Sequence, residues 1–282
     1  MKYRIIKDNS INIELKVEIQ TLCPLLSIDK YLKNIKTYEK HREIILPLNS
    51  FLIKNIKELE NPISKNERAY QIWNNEKMLD DNICKSVIKW NELEELLNYY
   101  LTPEPFFDYI HRKKEKVNIL MIENKDTWYT LRKLITPMNE ECYLFDQEID
   151  VLIYGEGNKG TKPFALEEYE KDIIQRKCNF LYWGDLDYTG IELFERIVKQ
   201  NPNTSILLFT KIYEKMIEAK DINQLGNIRK KQNKQIEKNI FLQSFSKTYQ
   251  EKIQEILKQD KYIPQEIINA NILKNIIKEG KK

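Results

Sequence analysis

The sequence predicts an α/β fold, with a parallel sheet flanked by helices and a mostly helical region ahead of it. Three observations carry this. Past residue 112 short apolar runs alternate with segments of helical period, the pattern of βαβ units. Before it, helical spacing dominates. The third is glycine. There are only seven, about a third of ordinary usage, and five of them (Gly155, Gly157, Gly160, Gly184 and Gly190) fall close together. A chain this sparing with glycine uses it where the backbone bends sharply or approaches something closely.

In order along the chain, Ile11, Ile13, Leu15, Val17 and Ile19 alternate with polar residues and predict a half-buried strand. Ile28, Leu32, Ile35 and Tyr38 lie at helical spacing and predict a helix over 27–45, ended by Pro47. A second helix is expected over 50–59, closed by Asn61-Pro62. Ser64 stands three residues before Glu67, a capping-box spacing, and opens a helix carrying Ala69, Ile72 and Trp73. Residues 82–100 continue the helical pattern through Val87, Trp90, Leu93 and Leu97. The expected domain boundary lies near residue 112. Apolar runs then follow at 117–122, 149–154, 179–183 and 206–209, with helices expected over 126–135, 164–175 and 190–200. Thr189 and Glu192 have capping-box spacing for the last of these. Beyond residue 211 the chain is lysine-rich and helical, with Tyr262-Ile263-Pro264 interrupting.

Composition excludes several classes of function. A net charge of +3 proves no nucleic-acid partner, and only eight of the 46 basic residues are arginine. Cys23, Cys84, Cys142 and Cys178 are scattered, with no pair spaced to grip zinc. With no export signal, such thiols point to a reducing cytoplasm. His41 and His111 are the only histidines, too few for multi-imidazole chemistry. No apolar run approaches the roughly 20 residues of a membrane helix.

The chemistry is expected at the carboxyl ends of the strands, where open parallel sheets bind ligands. Glu123 follows the first apolar run and Asp185 and Asp187 follow the third. Asp185 and Asp187 are two residues apart and share a side in extended backbone. Close carboxylates repel unless a proton or cation is shared, and Mg²⁺ takes oxygen ligands while keeping water or phosphate oxygens on its other positions. Other readings stay open: an Asp-x-Asp pair is common in surface loops, and Glu123-Asn124 could serve only to start a helix. Residues 155–160 could be a flexible turn or a phosphate cradle, and they lack the spacing of a dinucleotide or Walker fingerprint.

Ile119-Leu120-Met121-Ile122-Glu123-Asn124-Lys125, with Tyr182-Trp183-Gly184-Asp185-Leu186-Asp187, resembles a Toprim domain, the metal-binding fold of topoisomerases and primases. More narrowly, these motifs resemble the JetD/MksG family, the nuclease subunits of Wadjet anti-plasmid defence systems, akin to the A subunit of topoisomerase VI. The resemblance takes in Asn66–Trp73 and Glu76–Leu79, similar to the family's winged-helix entry, Tyr154–Lys159, and Tyr262–Glu266. The expected domains are an N-terminal strand and helical arm over 1–61, shorter than the family's arm, a winged-helix-like DNA-binding domain over 62–112, and a Toprim domain with a C-terminal helical extension over 113–282. The resemblance covers about residues 62–268.

It further implies hydrolysis of double-stranded plasmid DNA with Mg²⁺ (Mn²⁺ as a substitute), a homodimer, and action beside SMC-like condensin subunits. By position, Glu123, Asp185 and Asp187 are the Toprim acids and Glu266 a further acid. Lys125 is expected to stabilise charge at the phosphate, its bland alternative being an exposed salt-bridging lysine. Lys159, Arg229, Lys230 and Lys231, with Lys234 and Lys238, are expected to contact DNA, against the alternative of a solvated helix face. The competing readings are a catalytically silent scaffold and a topoisomerase-like transesterase. For the latter, Tyr70, Tyr99, Tyr100 and Tyr109 lie in the right region, but core packing is the expected role of each.

Overall fold

The computed structural model describes residues 6–228 and 240–280, with side chains from residue 12 onward. The chain divides into two compact units, Met1–Thr102 and Pro103–Lys282.

The first unit is mostly helical. Helix α1 spans Ile6–Gln20, where alternation predicts a strand. Among the described residues no strand pairs with it; Glu18 instead accepts from Tyr38 Oη at 2.6 Å and from both Arg42 Nε and Nη2 at 2.8 Å, while Ile13 and Val17 stay exposed. Helix α2 (Ile28–Lys33) ends at Asn34, and α3 (Ile35–Lys54) then runs straight through Pro47. Pro47 and Glu43, whose carbonyl it leaves without a donor, both lie on the exposed face, so water can satisfy that carbonyl. Buried Ile45, Leu48, Phe51 and Leu52 hold the helix on either side.

A two-residue strand, β1 (Ile63–Ser64), leads into α4 (Lys65–Trp73). The capping box forms: Glu67 N donates to Ser64 Oγ at 3.4 Å and Ser64 N to Glu67 Oε2 at 2.8 Å. Helix α5 (Asn82–Asn91) is shorter than its pattern predicts, and β2 (Tyr99–Tyr100) pairs parallel with β1. The buried Arg68 guanidinium donates to the carbonyls of Asn61 (2.8 Å), Glu58 (3.2 Å) and Asn98 (3.4 Å), tying the 58–61 segment and the turn before β2 to α4. Tyr70 and Tyr100 are not core residues; each is more than half exposed.

The second unit carries the sheet. Its strands are β3 (Phe107–Ile110), β4 (Lys116–Ile122), the hairpin β5 (Cys142–Leu144) and β6 (Gln147–Ile149), and β7 (Val151–Tyr154). Helix α6 (Lys125–Ile135) connects β4 to the hairpin. The helix expected over 164–175 is a short α7 (Ala165–Glu168) followed by a wide π turn, and β8 (Lys177–Trp183) comes next. Then come α8 (Tyr188–Gln200), β9 (Ser205–Leu208), α9 (Thr210–Glu218) and β10 (Gly226–Asn227). Last are α10 (Ile240–Gln243), α11 (Lys247–Lys258), β11 (Lys261–Tyr262) and α12 (Ala270–Gly280).

Five strands form one sheet in the order β3-β7-β4-β8-β9, all parallel except the edge strand β3. Residues 107–110 thus belong to the sheet, and the junction falls at 102/103 rather than near 112. Val117 and the whole of Ile119–Ile122 are buried, because a central parallel strand is covered on both faces and reads as one apolar run. Register decides how the strands finish. Ile122 lies opposite both Tyr154 and Trp183, so β7, β4 and β8 end level with one another.

Candidate functional site

Level strand ends place the next residues in one row. Gly155 N donates to Ile122 O at 2.9 Å and Glu123 N to Trp183 O at 3.2 Å, extending the ladder one residue past the strands. The strand order also reverses direction here, since the chain passes from central β4 outward to β7 and then back across to β8. Such a switch point opens a crevice at the carboxyl edge.

Glu123 lies in that crevice, against bare backbone. A Cβ on Gly155 would stand 2.1 Å from Glu123 Oε1, so only glycine lets the carboxyl lie there. Gly157, with φ at +69°, turns its N–H to Glu123 Oε2 at 3.0 Å. Oε1 is buried and has no hydrogen-bond partner. Burial pushes the Glu123 carboxyl up to about 8; the Gly157 N–H opposes this and the charge of Asp185 adds to it.

Asp185 follows β8. Its Oδ1 accepts from Gln265 N at 2.8 Å, and burial pushes its carboxyl up to about 6, with the charges of Asp187 and Glu266 adding to the shift. Asp187, not Thr189, caps α8: Gly190 N donates to Asp187 Oδ1 at 2.7 Å. The first turn of α8 comes so near the Asp185 carbonyl that a Cβ on Gly190 would stand 2.2 Å from it. Beneath the loop, Gly184 N donates to the buried Tyr213 Oη at 2.7 Å.

Gln265 lies within the Tyr262–Glu266 motif without being among the expected site residues, yet it is the keystone of the site. Fully buried, it accepts from Asn124 N at 2.7 Å through its side-chain oxygen and donates from Nε2 to Trp183 O at 2.9 Å. Leu186 and Ile263 exchange two backbone hydrogen bonds beside it. Asn124, which caps α6 through its side-chain oxygen, donates from Nδ2 to Glu266 Oε1 at 2.8 Å. The segment 262–268 thereby clamps the ends of β4 and β8 together. Residues 107–277 match the family described as Wadjet protein JetD, C-terminal.

The chain belongs to the Wadjet JetD family. The matched span opens on β3 and closes within α12, so it takes in both the JetD-type sheet and the clamp. No curated protein matches the chain.

The structure thus gathers Glu123, Asp185, Asp187 and Glu266 at one edge, in each other's electrostatic field. It does not close them into a cage: among the described residues, no group of three or more His, Cys, Asp and Glu side chains is placed to hold a metal ion. The donor chemistry nevertheless suits a hard divalent ion, which needs few protein carboxylates: Glu123 Oε1 is a buried oxygen donor with no hydrogen-bond partner. Lys125 is exposed in the first turn of α6. Lys159 is engaged, donating to Pro105 O at 2.8 Å and pairing with Glu156 at 2.6 Å. Arg229, Lys230, Lys231, Lys234 and Lys238 lie outside the described residues. Among the described residues no helix is long and apolar enough to cross a membrane.

Proposed function

We propose that this chain is a metal-dependent DNA endonuclease, the nuclease subunit of a Wadjet-type SMC anti-plasmid system, working through a Toprim-type acidic edge. The observation that carries this reading is Glu123, whose Oε1 is buried without a hydrogen-bond partner beside a second carboxylate of raised proton affinity. Such an arrangement is costly unless a cation or proton compensates it. Glu123, Asp185 and Asp187 would hold Mg²⁺ or Mn²⁺, and Glu266 would add to the negative field. When bound, the ion polarises the scissile phosphate and acidifies an attacking water.

The chain's own residues do the rest. Gly155 and Gly157 fix the Glu123 carboxyl, and Gln265 holds Asp185 at a set distance from β4. Lys125 offers positive charge where negative charge builds up on the phosphate. The N-terminal unit, with α4, α5 and the β1–β2 ladder, would serve as the winged-helix DNA-binding part. Double-stranded plasmid DNA, SMC-like condensin subunits and a second copy of the chain are the partners this reading requires, and the cytoplasm its setting.

The test is cleavage of supercoiled plasmid by the purified chain, alone and with its SMC complex, in Mg²⁺ or Mn²⁺. Asp185→Ala should abolish cleavage, and unchanged cutting by that variant would overturn the proposal. A transesterase reading draws support from the exposure of Tyr70 and Tyr100. Protein recovered covalently on DNA ends, and lost in Tyr70→Phe or Tyr100→Phe, would favour it over hydrolysis.

A further inference from the structure

Beside the acidic edge lies a cavity of about 620 Å³ between β3, α6 and the end of β7, within the range of about 300–1,000 Å³ typical of pockets for small organic groups. Its walls include Phe107, Trp128, Tyr129 and Tyr154, and its charged lining is Lys125, Arg132 and Lys159 against Asp126 and Glu156. Phe107 and Tyr129 are more than half exposed, leaving their rings open to a ligand. The Phe107 and Trp128 rings meet at 5.0 Å, and the Arg132 guanidinium lies 5.6 Å from the Trp128 ring. Trp128 itself is 2% exposed, and its indole N–H is buried with no acceptor.

These features select among ligands. An apolar group would cover the rings but leave the unpaired Lys125 unanswered. A bare phosphate would answer Lys125 and leave the rings uncovered. A nucleotide meets both demands: a planar base to stack on the open rings, and a phosphate for Lys125. Lys125 makes no ion pair among the described residues, whereas Lys159 on the same lining is already neutralised by Glu156.

The cavity shares its framework with the acidic edge. Tyr154 directly precedes Gly155, on which Glu123 rests; Glu156, also on the lining, precedes Gly157, whose N–H holds Glu123; Lys125 stands two residues beyond Glu123. We propose that this cavity receives the base of an unpaired nucleotide in the DNA strand whose backbone passes the acidic edge. The choice of DNA rests on the nuclease reading above; the pocket's ring-and-cation chemistry does not. Bound this way, a strand would be held at a locally opened or single-stranded position.

The test uses the full chain in EDTA, so that no cleavage is needed, with dye-labelled DNA read by fluorescence anisotropy. Three probes of equal length are compared: a single-stranded oligothymidylate, a blunt duplex, and an abasic strand carrying the same phosphates. Phe107→Ala and Tyr129→Ala each remove an exposed ring from the lining. Both should weaken the single-stranded probe about tenfold while changing the duplex and the abasic strand less than twofold. Equal weakening of all three probes, or none with Tyr129→Ala, would overturn the pocket assignment. So would displacement of the strand by an acidic aromatic peptide as readily as by unlabelled oligothymidylate. A protein that shows this base dependence yet never cuts keeps the pocket and loses the nuclease reading. One that cuts, with both variants binding like the parent, loses only the pocket.

Discussion

Replacing Glu123 by glutamine removes one ionisable proton while keeping the shape of the side chain, and so isolates the cost of charging a buried carboxyl. In the unfolded chain that carboxyl loses its proton near 4.5, and in the fold burial holds it up to about 8. Between those two pH values the native state binds a proton that the unfolded state does not, so stability falls as pH rises, by about 1.4 kcal/mol for each pH unit. Below 4.5 both states are protonated and the group is neutral in its effect. Above 8 the full cost is present, about 5 kcal/mol as an order of magnitude. Chemical denaturation of Glu123→Gln and parent protein should therefore give similar stabilities at pH 4.5. At pH 9 the variant should be the more stable by several kcal/mol. Mg²⁺ at pH 8 should restore stability to the parent and not to the variant, because an ion bound only by the native state stabilises it by mass action. Parallel pH profiles for the two proteins would refute the reasoning.

Three other perturbations probe the same geometry. Gln265→Ala removes a buried side chain that bonds both strand ends, and should cost about 2–4 kcal/mol by thermal or chemical denaturation and abolish any cleavage activity. Gly155→Ala forces a Cβ to within 2.1 Å of Glu123 Oε1; stability should fall by about 1–3 kcal/mol, and metal-induced stabilisation should weaken in a thermal-shift assay. Arg68→Met leaves the carbonyls of Glu58, Asn61 and Asn98 without their donor, and should destabilise the N-terminal unit by about 3 kcal/mol, read by hydrogen exchange in α4 and α5.

Much of the second unit was legible because its signals are local. The runs at 117–122 and 179–183 are apolar because central parallel strands have no solvent face, and each reappears as a strand within a residue or two; the run at 206–209 reappears as the edge strand β9, with Leu207 exposed. Ser64 and Glu67 form their box because a cap needs only neighbours within one helical turn. Errors cluster where a partner distant in sequence decides. Ile11–Ile19 alternates like a strand, yet becomes helical where Glu18 meets Tyr38 and Arg42 on α3. Pro47 reads as a stop and is carried through because its face of α3 is exposed. Phe107–Ile110 lacks any period, and its place in the sheet comes only from pairing with β7. Thr189 had the spacing of a cap, but Asp187 reaches Gly190 N first.

By itself the sequence determined the kinds of element in the sheet unit and the acids that follow two of its strands, since patterning and strand-end position are properties of a short window. It also marked the glycines, because a chain with so few can place them only where a side chain does not fit. Tertiary structure alone decided that β7, β4 and β8 end level, that one Glu123 oxygen is buried and unanswered, and that Gln265 joins the two strand ends. Each of these depends on register and on solvent exclusion, which arise when segments far apart in the chain pack together. The acidic edge was therefore visible as a set of residues. Its electrostatic cost, and the cation or proton that this cost calls for, became visible only in the fold.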